Sequence, residues 1–192
     1  MSGIRGILLC GGSARRFGSE KLLAPLRGTP LAAHSARNLV AGAGNGLAVI
    51  PMGSAALRHV LEEAGCEILE TSDTLRGMGA SLAAAVAASS GAVGWVVALG
   101  DMPFIQVATI ASIRAALEGG ALVAVPRVAS GGARGHPVGF ASALRAELVA
   151  LDGDHGARSV MERHRDRLAT LEVDDPGILA DIDVPADLEK FR

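Results

Sequence analysis

The sequence predicts an open, three-layer α/β/α fold on a mostly parallel sheet. Three observations predict it. Short, continuously apolar runs recur along the chain, the pattern of strands buried on both faces. Segments of helical character separate them. Glycine and proline mark most of the junctions. A chain of 192 residues can bury a full core in one unit, so 1–192 is read as a single domain.

Each element follows from its residues. Residues 4–10 form a buried strand that stops at Gly11 and Gly12. Pro30 begins a helix that runs to about Val40 and ends in the glycine-rich stretch 41–46. Residues 47–50 are a short strand closed by Pro51. A helix over 54–64 stops at Gly65, and 66–70 form a third strand. An Ala-rich helix over 79–88 follows the turn LRGMGAS. Residues 95–99 make the fourth strand, stopped by GDMP. An amphipathic helix over 107–117 ends at Gly119 and Gly120. Residues 121–125 are a buried strand with Pro126 behind it, and two helices follow at 143–150 and 157–163.

In sheets of this kind ligands bind beyond the carboxyl ends of the strands. The loops after Cys10, Leu99 and Val125 therefore share one edge. RVASGGARGHP (127–137) is read as a mobile loop.

Composition narrows the partners. Charged residues make up 20% and the net charge is −2, so no nucleic-acid arm or acidic tail is indicated. Aromatics are 3% and tyrosine is absent, which argues against base-stacking platforms. The two cysteines, Cys10 and Cys66, lie in or beside apolar strands and are read as buried free thiols. No Cys/His cluster offers a zinc site. No apolar stretch approaches a membrane span of about 20 residues, and the start does not read as a signal peptide. The expectation is a cytoplasmic protein without membrane or nucleic-acid partners.

LLCGGSARRFGSEK (8–21) carries the first chemistry. Gly11 and Gly12 let backbone N–H groups approach a ligand without Cβ obstruction. Arg15, Arg16 and Lys21 add cations suited to phosphate oxygens. The spacing matches neither the P-loop nor the dinucleotide fingerprint. An ordinary strand-to-helix turn with solvated cations is the alternative.

Asp101, in GDMP, projects from a strand end. It either holds Mg2+, which accepts one or two carboxylates alongside phosphate oxygens, or caps the next helix. Asp183, in DIDVPADL (181–188), has the same two readings. His136 in GHPVGF (135–140) either contacts a phosphate or acceptor or is structural. GDHGAR (153–158) sets Gly156 at a helix start with Arg158 in its first turn, either an anion site or a surface turn.

These motifs, in this order, resemble the molybdenum cofactor nucleotidyltransferases, within the NTP-transferase superfamily, over almost the whole chain. The cytidylyltransferase branch is the nearer in pattern. The resemblance implies a Rossmann-like nucleotidyltransferase fold. It implies an enzyme that uses Mg2+ to transfer a nucleotidyl group from CTP to the terminal phosphate of Mo-molybdopterin, releasing pyrophosphate. A molybdoenzyme or its maturation chaperone would receive the product. It places nucleotide binding on Leu9, Cys10, Gly11, Gly12, Arg15, Arg16 and Lys21, and catalysis on Arg15, Lys21 and Asp101. It places the metal on Asp101 and Asp183. The acceptor side falls on His136, Pro137, Gly139, Gly156 and Arg158.

One position departs from the branch. Leu9-Cys10-Gly11-Gly12 stands where the cytidylyltransferases show L-A-A-G, and Gly11 matches the L-A-G-G of the guanylyltransferases. A missing Cβ there would widen the pocket for a purine. GTP is therefore the alternative nucleotide, and a sugar phosphate the alternative acceptor. A non-catalytic carrier of nucleotide or cofactor would have little need of both Asp101 and Asp183. An NAD-dependent oxidoreductase fails on the missing fingerprint.

Overall fold

The computed structural model describes residues 3–11, 21–129 and 131–183. The chain begins with β1 (Ile4–Leu9), a small hairpin of β2 (Pro25–Leu26) and β3 (Thr29–Pro30), α1 (Leu31–Ala43), β4 (Leu47–Ile50) and α2 (Ala55–Glu63). Next come β5 (Glu67–Glu70), α3 (Met78–Ala88), β6 (Gly94–Leu99) and α4 (Val107–Glu118). It continues with β7 (Val123–Val128), β8 (Val138–Ala141), α5 (Arg145–Val149), α6 (Arg158–Arg163) and β9 (Leu168–Val173).

Among the described residues, seven strands make one sheet in the order β5-β4-β1-β6-β8-β7-β9. Every neighbouring pair is parallel except those of β8, which runs antiparallel to β6 and to β7. The mostly parallel sheet and its helical layers are those the sequence predicts. After β1 the chain moves outward to β4 and β5, then returns to place β6 on the other flank of β1. The order reverses between β1 and β6, and a crevice opens at such a switch point.

Successive residues of β1 point to opposite layers, as a strand requires. Ile4 and Leu8 pack with Ala36 and Leu39 of α1, Leu57 and Leu61 of α2, and Ile110 and Ile113 of α4. Ile7 and Leu9 pack on the other side with Leu82 of α3, Leu148 of α5 and Val160 of α6. Both faces of the strand are buried, which explains its unbroken apolar run. Cys10 and Cys66 are buried free thiols. Among the described residues no helix is long and apolar enough to cross a membrane.

Several boundaries differ from the sequence expectation. Helix α1 runs past Val40 to Ala43 and is capped by Gly44 in the left-handed conformation, φ 81°. Gly42 belongs to the helix because α4 crosses against it. A Cβ there would stand 2.5 Å from Ile110 Cβ and 2.9 Å from the Val107 carbonyl oxygen. β7 continues through Pro126 to Val128. β8 pairs only with Val123 and Ala124 of β7, so the next part of that side carries no strand. The Pro126 carbonyl points there and accepts from the Gly135 N–H at 3.1 Å. The N–H that proline lacks would point the same way and leaves no gap in the β7–β9 ladder. The 143–150 helix shortens to a 3-10 turn, Ser142–Leu144, followed by five-residue α5. Strands β8 and β9 were not read from the sequence.

Two outcomes test this packing. Gly42→Ala gains about 1 kcal/mol of helix propensity but overpacks α4, a cost of about 1–3 kcal/mol. Urea unfolding is expected to show a net loss, because a backbone oxygen as well as a side chain blocks the new methyl. Burial raises the Cys10 thiol well above its ordinary pKa, and burial first of all pushes Cys66 up to about 11. At pH 8 iodoacetamide is expected to leave both thiols unlabelled in the folded protein and to label both in urea.

Candidate active site

The strand ends build the site. Cys10 donates from its N–H to the Val49 carbonyl at 3.0 Å, and the Leu9 carbonyl accepts from the Gly100 N–H at 2.9 Å. Both side chains are buried in the core. Leu9 and Cys10 are thus committed to the sheet, and Gly11 is the first residue beyond it. The loop after β6 is fixed from below by α1. Ser35 donates its hydroxyl to the Gly100 carbonyl at 3.0 Å. The Asn38 side-chain amide donates to the carbonyls of Pro103 and Ile105 at 3.1 and 3.0 Å. Asp101 is held at the apex of this loop.

The last described stretch returns over the same edge. Asp175 accepts hydrogen bonds from the Gln106 N–H at 2.9 Å, the Thr109 hydroxyl at 2.6 Å and the Gly177 N–H at 3.0 Å. It fastens the stretch to the start of α4. The Ile182 N–H then donates to the Asp101 carbonyl at 3.0 Å, and Ile182 is buried with Leu26 and Leu31. That anchor sets Asp183 beside Asp101.

Lys21 completes the group. Its Nζ donates to Asp101 Oδ2 at 2.9 Å and to Asp183 Oδ1 at 2.9 Å. The lysine side chain is 10% exposed, against 27% for Asp101 and 57% for Asp183. Burial alone would lower its pKa, but the hydrogen bonds and charges of the two carboxylates outweigh it and hold the ammonium protonated. The Asp181 carboxyl is raised, by burial first, with Asp183 and Asp101 adding to the rise against a lowering backbone hydrogen bond. Among the described residues no three His, Cys, Asp or Glu side chains converge to hold a metal. Asp101 and Asp183, with Asp181 close by, meet on the Lys21 ammonium.

His136 stands at the same edge, before a cis bond to Pro137. Burial lowers its pKa most, opposed by a backbone hydrogen bond to Val97 and by the charges of Asp101 and Asp181. Its Nδ1 is buried without a hydrogen-bond partner among the described residues. Gly139 is elsewhere, paired between Val96 and Ala124 inside the sheet. A Cβ there would meet Ile113 Cγ2 at 2.8 Å, so helix packing accounts for this glycine rather than an acceptor.

The stretch at 152–156 caps α3. The Gly79 N–H donates to the Gly153 carbonyl at 2.7 Å, and Arg76 bridges Asp73 and Asp152 at 2.9 and 3.0 Å. Gly156 is buried near Met78. Helix α6 starts at Arg158 but has only six residues, and the exposed Arg158 pairs with Glu162 along its own helix at 2.9 Å. Gly12, Arg15 and Arg16 lie outside the described residues.

Thr74 was not legible as a site residue. A Cβ on Gly11 would stand 2.5 Å from Thr74 Cγ2 and 3.4 Å from the buried Ser81 hydroxyl oxygen. The room left by the missing side chain is taken by a threonine methyl, so Gly11 does not open a wider pocket on that side. Gly11→Ala is expected to cost about 1–3 kcal/mol of stability through overpacking. Thr74→Ser, which removes the methyl and keeps the hydroxyl that donates to the Thr71 carbonyl, should recover part of that loss. A double-mutant cycle by urea unfolding measures the coupling.

Known proteins resemble this chain over nearly its whole length. Purine catabolism protein PucB of Bacillus subtilis is 29% identical over 97% of this chain and 95% of its own length. Nicotine blue oxidoreductase of Paenarthrobacter nicotinovorans is 29% identical over 94% of this chain and 92% of its own. The crystal structure of Rv0371c from Mycobacterium tuberculosis superposes with a TM-score of 0.82 at 27% identity, covering 98% and 97% of the two chains. Its complex with manganese gives 0.78 at 25% identity over 99% and 97%. The family model described as the MobA-like NTP transferase domain matches residues 6–168. With this fold and a lysine held between two carboxylates at the β1/β6 crevice, the chain belongs to the MobA-like NTP transferase domain family and is a nucleotidyltransferase.

Proposed function

We propose that this nucleotidyltransferase carries a cytidylyl group from CTP to the terminal phosphate of Mo-molybdopterin, with GTP as the alternative donor. The observation that carries the proposal is the meeting of Lys21, Asp101 and Asp183 at the crevice. Two carboxylates gathered around one cation are hard oxygen donors of the kind a divalent metal takes. The ammonium between them stands in for such an ion, so the residues fit. The manganese complex of Rv0371c supports the same reading. Asp101 and Asp183 would hold Mg2+, which when bound neutralises phosphate charge and polarises the reacting phosphorus.

The chain's own residues supply position and charge. The acceptor phosphate is already ionised near neutral pH, so its oxygen attacks the α-phosphorus of CTP without a general base. The new O–P bond forms as the bond to the β-phosphate oxygen breaks, and pyrophosphate leaves with that electron pair. The peptide at Gly11, with Gly12, approaches the phosphates, and Lys21, Arg15 and Arg16 offset their charge. His136 and Pro137, at the same edge, border the acceptor. Loops braced by Ser35, Asn38 and Asp175 keep the groups in place before reaction, and preorganisation of this sort supplies much of the rate of phosphoryl-type transfers.

Purified protein with Mg2+, Mo-molybdopterin and each of the four NTPs is the test, read as pyrophosphate release. CTP should give the highest kcat/KM, and NADH oxidation should be absent. Lys21→Ala and Asp101→Asn should each lower kcat by about 100- to 1,000-fold, the loss typical of one preorganised charged contact. No pyrophosphate with any nucleotide would reject the reading.

A further inference from the structure

Lys21 has two claims on it. As a phosphate ligand it must face the triphosphate, yet its Nζ is hydrogen bonded at 2.9 Å to both carboxylates expected to hold the metal. A metal seated between Asp101 and Asp183 would occupy the space the ammonium now fills. Two cations held that close in a partly buried crevice repel each other strongly. Moving the ammonium off with nothing to receive it would leave a charge in a pocket that exposes only 10% of the side chain.

We propose that Lys21 and the divalent metal are alternative occupants of the Asp101–Asp183 pair, exchanged when a nucleotide arrives. This rests on the metal reading above. The triphosphate receives the ammonium as the metal takes the carboxylates, so each ligand removes an obstacle to the other. Metal and nucleotide then bind with positive coupling, which is reciprocal by linkage. The backbone around the exchange is fixed. The Lys21 carbonyl accepts from the Ala24 N–H at 3.2 Å, and Leu22 and Leu23 pack against the core. The exchange is thus a swing of the lysine side chain on a held turn.

Mn2+ binding, read by electron paramagnetic resonance without nucleotide, tests it. Lys21→Met keeps the length of the apolar stem and removes the ammonium. It should bind Mn2+ at least 10-fold more tightly than the native protein, and the gain should persist in 1 M KCl, where the Debye length is about 3 Å and the pull of exposed charges farther off is screened. Equal affinity, or a gain that vanishes in high salt, overturns the exchange and leaves the metal reading standing. Mn2+ affinity unchanged by Asp101→Asn overturns the metal reading and the exchange with it.

A second measurement needs no variant. The 15N signal of the Lys21 ammonium in native protein should move little with Mg2+ alone. It should shift on adding Mg2+ with a CTP analogue bridged by methylene between the α and β phosphorus. Calorimetry showing that the analogue binds while the lysine signal stays in place overturns the exchange. Failure of the analogue to bind overturns the nucleotide assignment.

Discussion

The fold is arranged so that one buried lysine finds two carboxylates. Asp101 and Asp183 follow Lys21 by 80 and 162 positions along the chain, and no local propensity brings the three together. A charge in this crevice is tolerable only if paired. The pairing therefore imposes register on three distant segments: the turn before the small hairpin, the loop after β6, and the returning stretch past Ile178. Each segment is secured by its own contacts: a packed leucine pair, the side chains of Ser35 and Asn38, and the Asp175 clasp. The ion pairs themselves add modestly to stability, since burial opposes them. Their value is positional.

Close backbone approaches make room for that arrangement. A Cβ on Gly100 would come within 2.8 Å of the Cys10 sulfur, so the Asp101 loop can leave the sheet tightly alongside β1. Gly135 and Gly177 lie directly against the Ile178 and Phe104 carbonyls, respectively. The stretch carrying Asp183 is thereby laid onto the edge of the sheet with no intervening side chain. These glycines are conformational permits less than clearances, and at Gly135 and Gly177 the nearest neighbours are backbone atoms that cannot turn aside.

Much of this was legible in the sequence. The apolar runs of β1, β4 and β6 announced buried parallel strands, and GDMP after β6 marked the edge where Asp101 stands. Other features were hidden for identifiable reasons. β8 is four residues long and follows a glycine, a histidine and a proline, so it read as a pocket floor. Pro126 read as a terminator because a sequence does not say on which side of a strand a neighbour is missing. The half-buried edge strand β9 lacks the continuous apolar signature of the central ones. Thr74 gave no signal, because its partner is the side chain that Gly11 does not have. Arg158 and Gly139 were singled out by motif, but an ion pair along α6 and the packing of α4 account for them.

The late position of Asp183 has a bearing on how the molecule is made. Synthesis is vectorial, and structure can form as the chain emerges. The strands on the β1 flank of the sheet and β6 are complete long before residue 183 leaves the ribosome. Lys21 then has Asp101 beside it but not its second carboxylate, and Ile182 is not yet there to cover Leu26 and Leu31. A nascent molecule can thus own a nearly finished scaffold and still lack a finished crevice. The Asp175–Asp183 stretch, last to be made among the described residues, brings the second carboxylate to Lys21 and closes the cover over Leu26 and Leu31.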